Sequence, residues 1–277
     1  TSFRQCASGD LTMEDLVALA AEVQRRLDTG ATGVVVTQGT DTVEETSFAL
    51  DLLVRHPRPV VVTGAMRNPT LPGADGPANM LAAVQVASSP SFVDQGCVVV
   101  MNDEVHAARF VRKTHTSSPS TFVSPTTGPI GWVVEGRVRA ALRPVALPPI
   151  AAVTREVPPV ALLKVALGDD SRTVQQLEVL GYAGVVVEAL GGGHVPARMV
   201  PALEAVASRV PVVLASRTGG GEVLRQTYGF PGSERDLIAR GLVPAGALDG
   251  LKARILLSLL LGGGAQRDDV VTAFSTR

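Results

Sequence analysis

Short apolar runs alternate with amphipathic stretches along this chain. Residues 33–36 (Gly-Val-Val-Val) are a β-branched run that ends in Thr37-Gln38-Gly39-Thr40-Asp41, which predicts a buried strand closing in a turn. Residues 42–53 read as a helix whose early Glu44 and Glu45 suit the positive end of a helix dipole. A second strand is predicted over 59–63, ending at Gly64, and a third over 97–101. Between them, 76–87 reads as a helix with Met80, Val84 and Ala87 on one face at i, i+4, i+7. Strands and helices alternating at this spacing indicate parallel βαβ units, and near-continuous apolar runs fit strands covered on both faces.

The pattern changes between 142 and 159, where Pro144, Pro148, Pro149, Pro158 and Pro159 fall close together. Proline removes a backbone donor and restricts the preceding residue, so this stretch reads as a linker. The rhythm then restarts. Strands are predicted over 160–167, 184–190 and 211–216, and helices over 171–180, 197–208 and 245–261. The expectation is a two-domain α/β protein: a larger N-terminal parallel-sheet domain over 1–141, the linker 142–159, and a smaller C-terminal α/β domain over 160–277.

Composition narrows the function. Across 277 residues, 45% are hydrophobic and 18% charged, an ordinary globular balance. The formal net charge of −1 offers no basic surface for a phosphate backbone, so no nucleic-acid partner is expected. The longest apolar run, 255–261, is far short of a membrane span, and no membrane partner is expected. Cys6 and Cys97 are too few for a disulfide scaffold and read as free thiols. His56, His106, His115 and His194 are scattered without metal-ligand spacing, so neither a metal nor another cofactor is expected. No charged, apolar leader pattern is visible, which favours a cytoplasmic location. Periplasmic or secreted placement stays open because the chain opens at Thr1.

Three polar clusters carry candidate chemistry. The first, Thr37-Gln38-Gly39-Thr40-Asp41-Thr42, lies at the carboxyl end of the first predicted strand, where open α/β sheets bind ligands. Thr40 or Thr42 fits a helix N-cap equally well. The second, Arg112-Lys113-Thr114-His115-Thr116, places a lysine where it can activate a threonine hydroxyl, although a lone lysine is more often a solvated surface residue. The third runs from Gly64-Ala65-Met66-Arg67-Asn68-Pro69 to Gly73-Ala74-Asp75-Gly76-Pro77. It reads as a strand-end turn entering a helix that Asp75 caps and Pro77 starts.

Taken in order, these segments resemble one family. Residues 37–46 are similar to the second active-site signature of bacterial-type L-asparaginases. Gly64-Ala65-Met66-Arg67, Ala74-Asp75-Gly76-Pro77-Ala78-Asn79 and Val100-Met101-Asn102-Asp103 match further motifs, as do Lys113-Thr114-His115-Thr116, Gly128-Pro129-Ile130-Gly131 and Lys252-Ala253-Arg254. The likeness implies hydrolysis of the side-chain amide of L-asparagine, with L-glutamine as a possible second substrate. It implies Thr40, Asp41 and Lys113 as catalytic residues, with Asp41 binding the substrate's α-ammonium group. It further implies substrate contacts from Ser8, Gly39, Ala65 and His194. His194 would reach a neighbouring subunit's site in a dimer of dimers, helped by either Glu222 or Glu234. Two other readings remain on the same scaffold: a non-catalytic amino-acid-binding protein, and the amidase component of a tRNA-dependent amidotransferase.

The resemblance also carries a departure. Family members begin with a strand running into a Gly-Gly-Thr-Ile type turn that bears another catalytic threonine, followed by a lid with a tyrosine. No such segment precedes Ser8. Omitting a central strand leaves buried backbone groups unpaired, so the expectation is that the natural protein has residues before Thr1. Next to Ser8, Gly9 stands where the family often has glutamine.

Overall fold

The computed structural model describes residues 1–148 and 150–276. Pro149, inside the expected linker, and Arg277, the expected end of the second domain, lie outside the described residues. The chain divides into two compact units, Thr1–Pro149 and Ile150–Arg277.

In the first unit, α1 (Met13–Asp28) leads to β1 (Val34–Thr37), α2 (Val43–Leu53), β2 (Val60–Thr63), α3 (Gly76–Ala87) and β3 (Cys97–Met101). Then come β4 (Glu104–Ala107), β5 (Arg112–Lys113), β6 (Phe122–Val123), β7 (Gly131–Val134) and β8 (Arg137–Ala140). The main sheet has the order β1-β2-β3-β4-β7-β8. Its first three strands are parallel, as the alternation of strands and helices predicts. The remaining pairings are antiparallel, so the sheet is mixed rather than wholly parallel. These later strands have two to four residues and tight turns, a signal too short to read from periodicity. The amphipathic α1 also escaped the sequence reading. It is opened by a capping box in which Thr12 and Asp15 satisfy each other's backbone N–H groups.

Alternation along the strands sorts side chains onto two faces. Val60, Val62, Cys97, Val99 and Met101 pack in one cluster with Ala20 and Val23 of α1 and Leu50 of α2. Val61, Val98 and Val100 pack in the other, with Ala82, Ala83 and Val86 of α3. The expected stripe on α3 is therefore not its core face: Met80 and Val84 are exposed, and of the three only Ala87 is buried. Strand β1 is the sheet's edge, and a cavity of about 640 Å³ runs along it, lined by Phe3, Ser8, Leu16, Leu19 and Val34–Thr37 among others.

The second unit holds β9 (Val160–Lys164), α4 (Arg172–Gln176), β10 (Gly184–Ala189), α5 (Val200–Ala207), β11 (Val212–Ser216), α6 (Glu234–Ala239), β12 (Val243–Pro244), α7 (Gly250–Gly262) and α8 (Arg267–Ser275). Its four strands are all parallel, in the order β12-β11-β10-β9. Val185, Val187, Val212 and Leu214 share a cluster with Leu203 and Val206 of α5, while α7 packs on β9, β10 and β11. Two predicted elements are shorter than expected. Strand 160–167 stops at Lys164, and helix 171–180 is Arg172–Gln176, with Leu167, Val179 and Leu180 left exposed. The last long helix starts at Gly250 rather than 245, because Asp249 caps it by accepting Lys252 N–H.

Candidate functional site

Strand β1 ends at Thr37 beside the end of β2 at Thr63. The chain then turns through Gly39 into a 3-10 turn, Thr40–Thr42, that feeds α2 directly. Neither threonine caps the helix. Gly39 and Thr42, at the two N-cap positions, make no side-chain cap hydrogen bond. The Thr42 hydroxyl donates instead to Ser8 O at 3.0 Å, tying the N-terminal segment onto the turn. Ser8 sits so close that a Cβ at Gly39 would lie 2.8 Å from Ser8 Oγ, so a larger residue there would force the Ser8 side chain to move. Gly64 is constrained the same way, since a Cβ there would lie 2.5 Å from Gln38 O and 3.2 Å from Thr40 Cγ2. That approach brings the turn at Gly64 against Thr40, with Ala65 next in the chain and exposed.

Lys113 arrives from elsewhere in the chain. It lies on β5, which pairs with β6 as a two-stranded ribbon separate from the main sheet. Its ammonium donates to Thr40 Oγ1 at 3.0 Å and to Asp41 Oδ1 at 2.8 Å. The lysine side chain is 17% exposed and the aspartate 77%. A hydroxyl, an amine and a carboxylate thus meet at the carboxyl edge of parallel strands, with the carboxylate open to an incoming ligand. The Lys113 N–H in turn donates to Glu44 Oε1, 2.8 Å away on the first turn of α2. Sequence reasoning assigned Glu44 only to the helix dipole, and nothing in its spacing from Lys113 marks the link.

The neighbouring turn is held by a carboxylate in an unexpected role. Asp75, expected to cap α3, makes no cap hydrogen bond. It turns back to accept the N–H groups of Met66 and Arg67, each at 2.9 Å. Partial burial pushes its carboxyl up, but those two N–H groups and Asn79 outweigh it and hold it below the ordinary carboxylate range. Asn79 bridges onward, donating to Gly64 O and accepting Asn102 N–H, so the ends of β2 and β3 are joined. Pro77 lies in the first turn of α3 as expected.

Behind β5 and β6 lies a histidine whose role the sequence did not show. His106 of β4 is fully buried, with Nδ1 3.0 Å from Ser124 Oγ just past β6, and Nε2 3.2 Å from Glu104 Oε2. Burial lowers its pKa below the ordinary histidine value and outweighs the upward pull of Glu104.

The first unit therefore brings together Ser8, Gly39, Thr40, Asp41, Ala65 and Lys113. His194 belongs to the second unit. It lies 3.2 Å from Glu234 Oε2, and its ring meets Tyr228 and Phe230 edge-on at centroid distances of 5.0 and 5.2 Å. Glu234 is buried and accepts the N–H groups of Thr227 and Tyr228. Burial raises its pKa, but these N–H groups and His194 outweigh it and the net shift is downward. Glu222 is exposed, so of the two glutamates it is Glu234 that partners His194. Among the described residues, no group of three His, Cys, Asp or Glu is placed to hold a metal ion, and no helix is long and apolar enough to cross a membrane.

Comparison with known proteins adds independent findings. The family model described as Asparaginase, N-terminal, matches residues 1–146, and the Glutaminase/Asparaginase C-terminal domain matches 159–274. The chain is 38% identical to a probable L-asparaginase of Deinococcus radiodurans, over 92% of this chain and 79% of that protein. It is 35% identical to an L-asparaginase of Bacillus licheniformis, over 93% and 80%. A glutaminase-asparaginase of Pseudomonas aeruginosa is 31% identical, over 93% and 71%.

Proposed function

The chain belongs to the asparaginase family, and from that membership we propose that it hydrolyses the side-chain amide of L-asparagine to L-aspartate and ammonia, with L-glutamine as a second substrate. One observation carries the reading: Lys113 Nζ lies within hydrogen-bond distance of both Thr40 Oγ1 and Asp41 Oδ1. Lys113 Nζ takes the Thr40 hydroxyl proton as the threonine oxygen attacks the amide carbon, or as that oxygen takes a proton from a water that attacks in its place. The carbonyl π pair moves to oxygen. As the tetrahedral intermediate collapses, the C–N bond breaks and the proton passes from Lys113 to the departing nitrogen. If threonine is the nucleophile, water then hydrolyses the acyl ester. Asp41 holds the α-ammonium group, and its exposure suits that task. Ser8 takes the α-carboxylate, and Gly39 and Ala65 line the pocket.

His194 and Glu234 would complete a neighbouring copy's site in a dimer of dimers. Exposed Met80, Leu81 and Val84 on α3, and exposed Tyr228 and Phe230, support association with further copies. Residues 142–159 would link the catalytic and C-terminal domains. A cytoplasmic location suits the free thiols of Cys6 and Cys97.

Ammonia release from asparagine by the purified protein tests the activity. Thr40→Ala should abolish it with the circular dichroism spectrum unchanged, and retained turnover would refute the role given to Thr40. Calorimetric binding of asparagine by the wild type without ammonia release would instead make the protein an amino-acid binder.

A further inference from the structure

The Thr40–Lys113 contact spans 73 residues of sequence. Lys113 sits on a ribbon of two-residue strands that shares no backbone ladder with the main sheet. Apolar packing fixes the ribbon's depth, because Val111 and Phe122 are buried in the same cluster as Leu50 and Val62. Such packing is non-directional and tolerates sliding along the contact. Something must set where Lys113 sits along that surface.

We infer that Glu44 is a positioning residue for the amide-hydrolysis site, setting the place of Lys113 through a carboxylate-to-backbone hydrogen bond. The inference rests on the function proposed above. Glu44 is only 7% exposed. Burying a carboxylate carries a desolvation cost, so its retention needs a compensating role. The start of α2 offsets part of that cost through the helix dipole. The charge-assisted bond from Lys113 N–H, at 2.8 Å, offsets more.

The geometry makes this bond a ruler. Glu44 lies four residues beyond Thr40 on a continuous run from the 3-10 turn into α2, so the two share one rigid support. The oxygen that accepts Lys113 N–H and the hydroxyl that accepts Lys113 Nζ therefore belong to the same short segment. One residue is held at its backbone and at its side-chain tip by neighbours on one helix start. On the ribbon's other strand, Lys113 pairs with Phe122, and Ser124 just beyond is held by buried His106. The ribbon is thereby held on both strands, and Glu44 ties its backbone at Lys113 to the segment that carries Thr40.

A helix-dipole role and a positioning role make different predictions. Glu44→Ala removes both the charge and the acceptor, whereas Glu44→Gln removes the charge and keeps an acceptor oxygen for Lys113 N–H. Because misplacing a reacting group by about 1 Å costs on the order of 100-fold, kcat for asparagine should fall about 10–100-fold in Glu44→Ala, with KM within about threefold. Glu44→Gln should recover most of the lost kcat. A second readout needs no activity: the Lys113 amide, followed by hydrogen exchange in the full chain, should be protected in the wild type and in Glu44→Gln and exposed in Glu44→Ala. If Glu44→Ala does not fold, Glu44→Asp, with its carboxylate drawn back by one methylene, should show the same loss of kcat and protection. Unchanged kcat in a folded Glu44→Ala or Glu44→Asp, equal Lys113 protection in all variants, or an equal kcat loss in Glu44→Gln and Glu44→Ala would each overturn the inference. Failure of the wild type to release ammonia would sink the functional reading alone, and amide exchange would still decide whether Glu44 places Lys113.

Discussion

Each unit contains a lysine–aspartate pair, and the two have opposite characters. In the first unit Lys113 reaches Asp41 across 72 residues, at 2.8 Å, with the aspartate 77% exposed. In the second, Lys252 meets Asp249 three residues away, at 3.0 Å, with side-chain exposures of 1% and 13%. The local pair closes a helix N-terminus: Asp249 caps α7 through Lys252 N–H and also binds the same residue's ammonium. The distant pair leaves one partner open to solvent and adds a threonine hydroxyl within 3.0 Å. The same two residue types thus close a helix end in one place and, in the function proposed here, serve chemistry in the other. Accessibility and the third group separate the roles, not the pair itself.

The sharpest way to break this comparison is to remove each lysine. Lys113→Met should lower kcat for asparagine about 1,000-fold, the scale of losing a general base, with little change in melting temperature. Lys252→Met should do the reverse, costing about 3–5 kcal/mol in urea denaturation because it breaks a largely buried ion pair, while folded protein keeps its kcat. Loss of activity from Lys252→Met with stability intact would erase the distinction.

Asp41→Asn sharpens the reading of the open pair. Removing the charge that holds the α-ammonium group should raise KM for asparagine about 10–100-fold, the value of a charge-assisted hydrogen bond, and an unchanged KM would remove Asp41 from substrate binding.

The smallest effect concerns pH. Burial keeps the folded pKa of His106 below its ordinary value near 6.5. As pH falls below that value the unfolded chain binds the proton first, so stability is full above about pH 6.5 and declines toward the folded pKa. Thermal melts from pH 8 to 5 should show this decline in the wild type and a shallower one in His106→Gln. Parallel curves would mean that Glu104 and Ser124 hold the histidine without cost.

Much of the fold was legible because it rests on periodicity. The helix predicted over 76–87 coincides with α3, and the strand predicted over 97–101 with β3. Valine-rich runs read as strands because branched side chains pack on both faces of a covered sheet. The α3 stripe misled, since Met80 and Val84 are apolar yet exposed, and small Ala82 and Ala83 face the sheet. Close helix–sheet approach selects small residues, which a search for large apolar side chains passes over. Strands β4 to β8 were not read because two to four residues give no period.

The site divides the same way. Sequence alone determined the residue types and the strand-end location of the Thr40–Asp41 turn, because both follow from local pattern and from motif order. It also placed Lys113 in a polar segment of its own. Only the tertiary structure decided that Thr40 is not a helix cap, that Asp75 turns back to Met66 and Arg67, that Glu234 rather than Glu222 partners His194, and that Glu44 holds the Lys113 backbone. Each of these is a hydrogen bond whose partner is chosen by distance in space. Spacing along a chain carries no record of which buried donor will lie 2.8 Å from which acceptor once the sheet has closed.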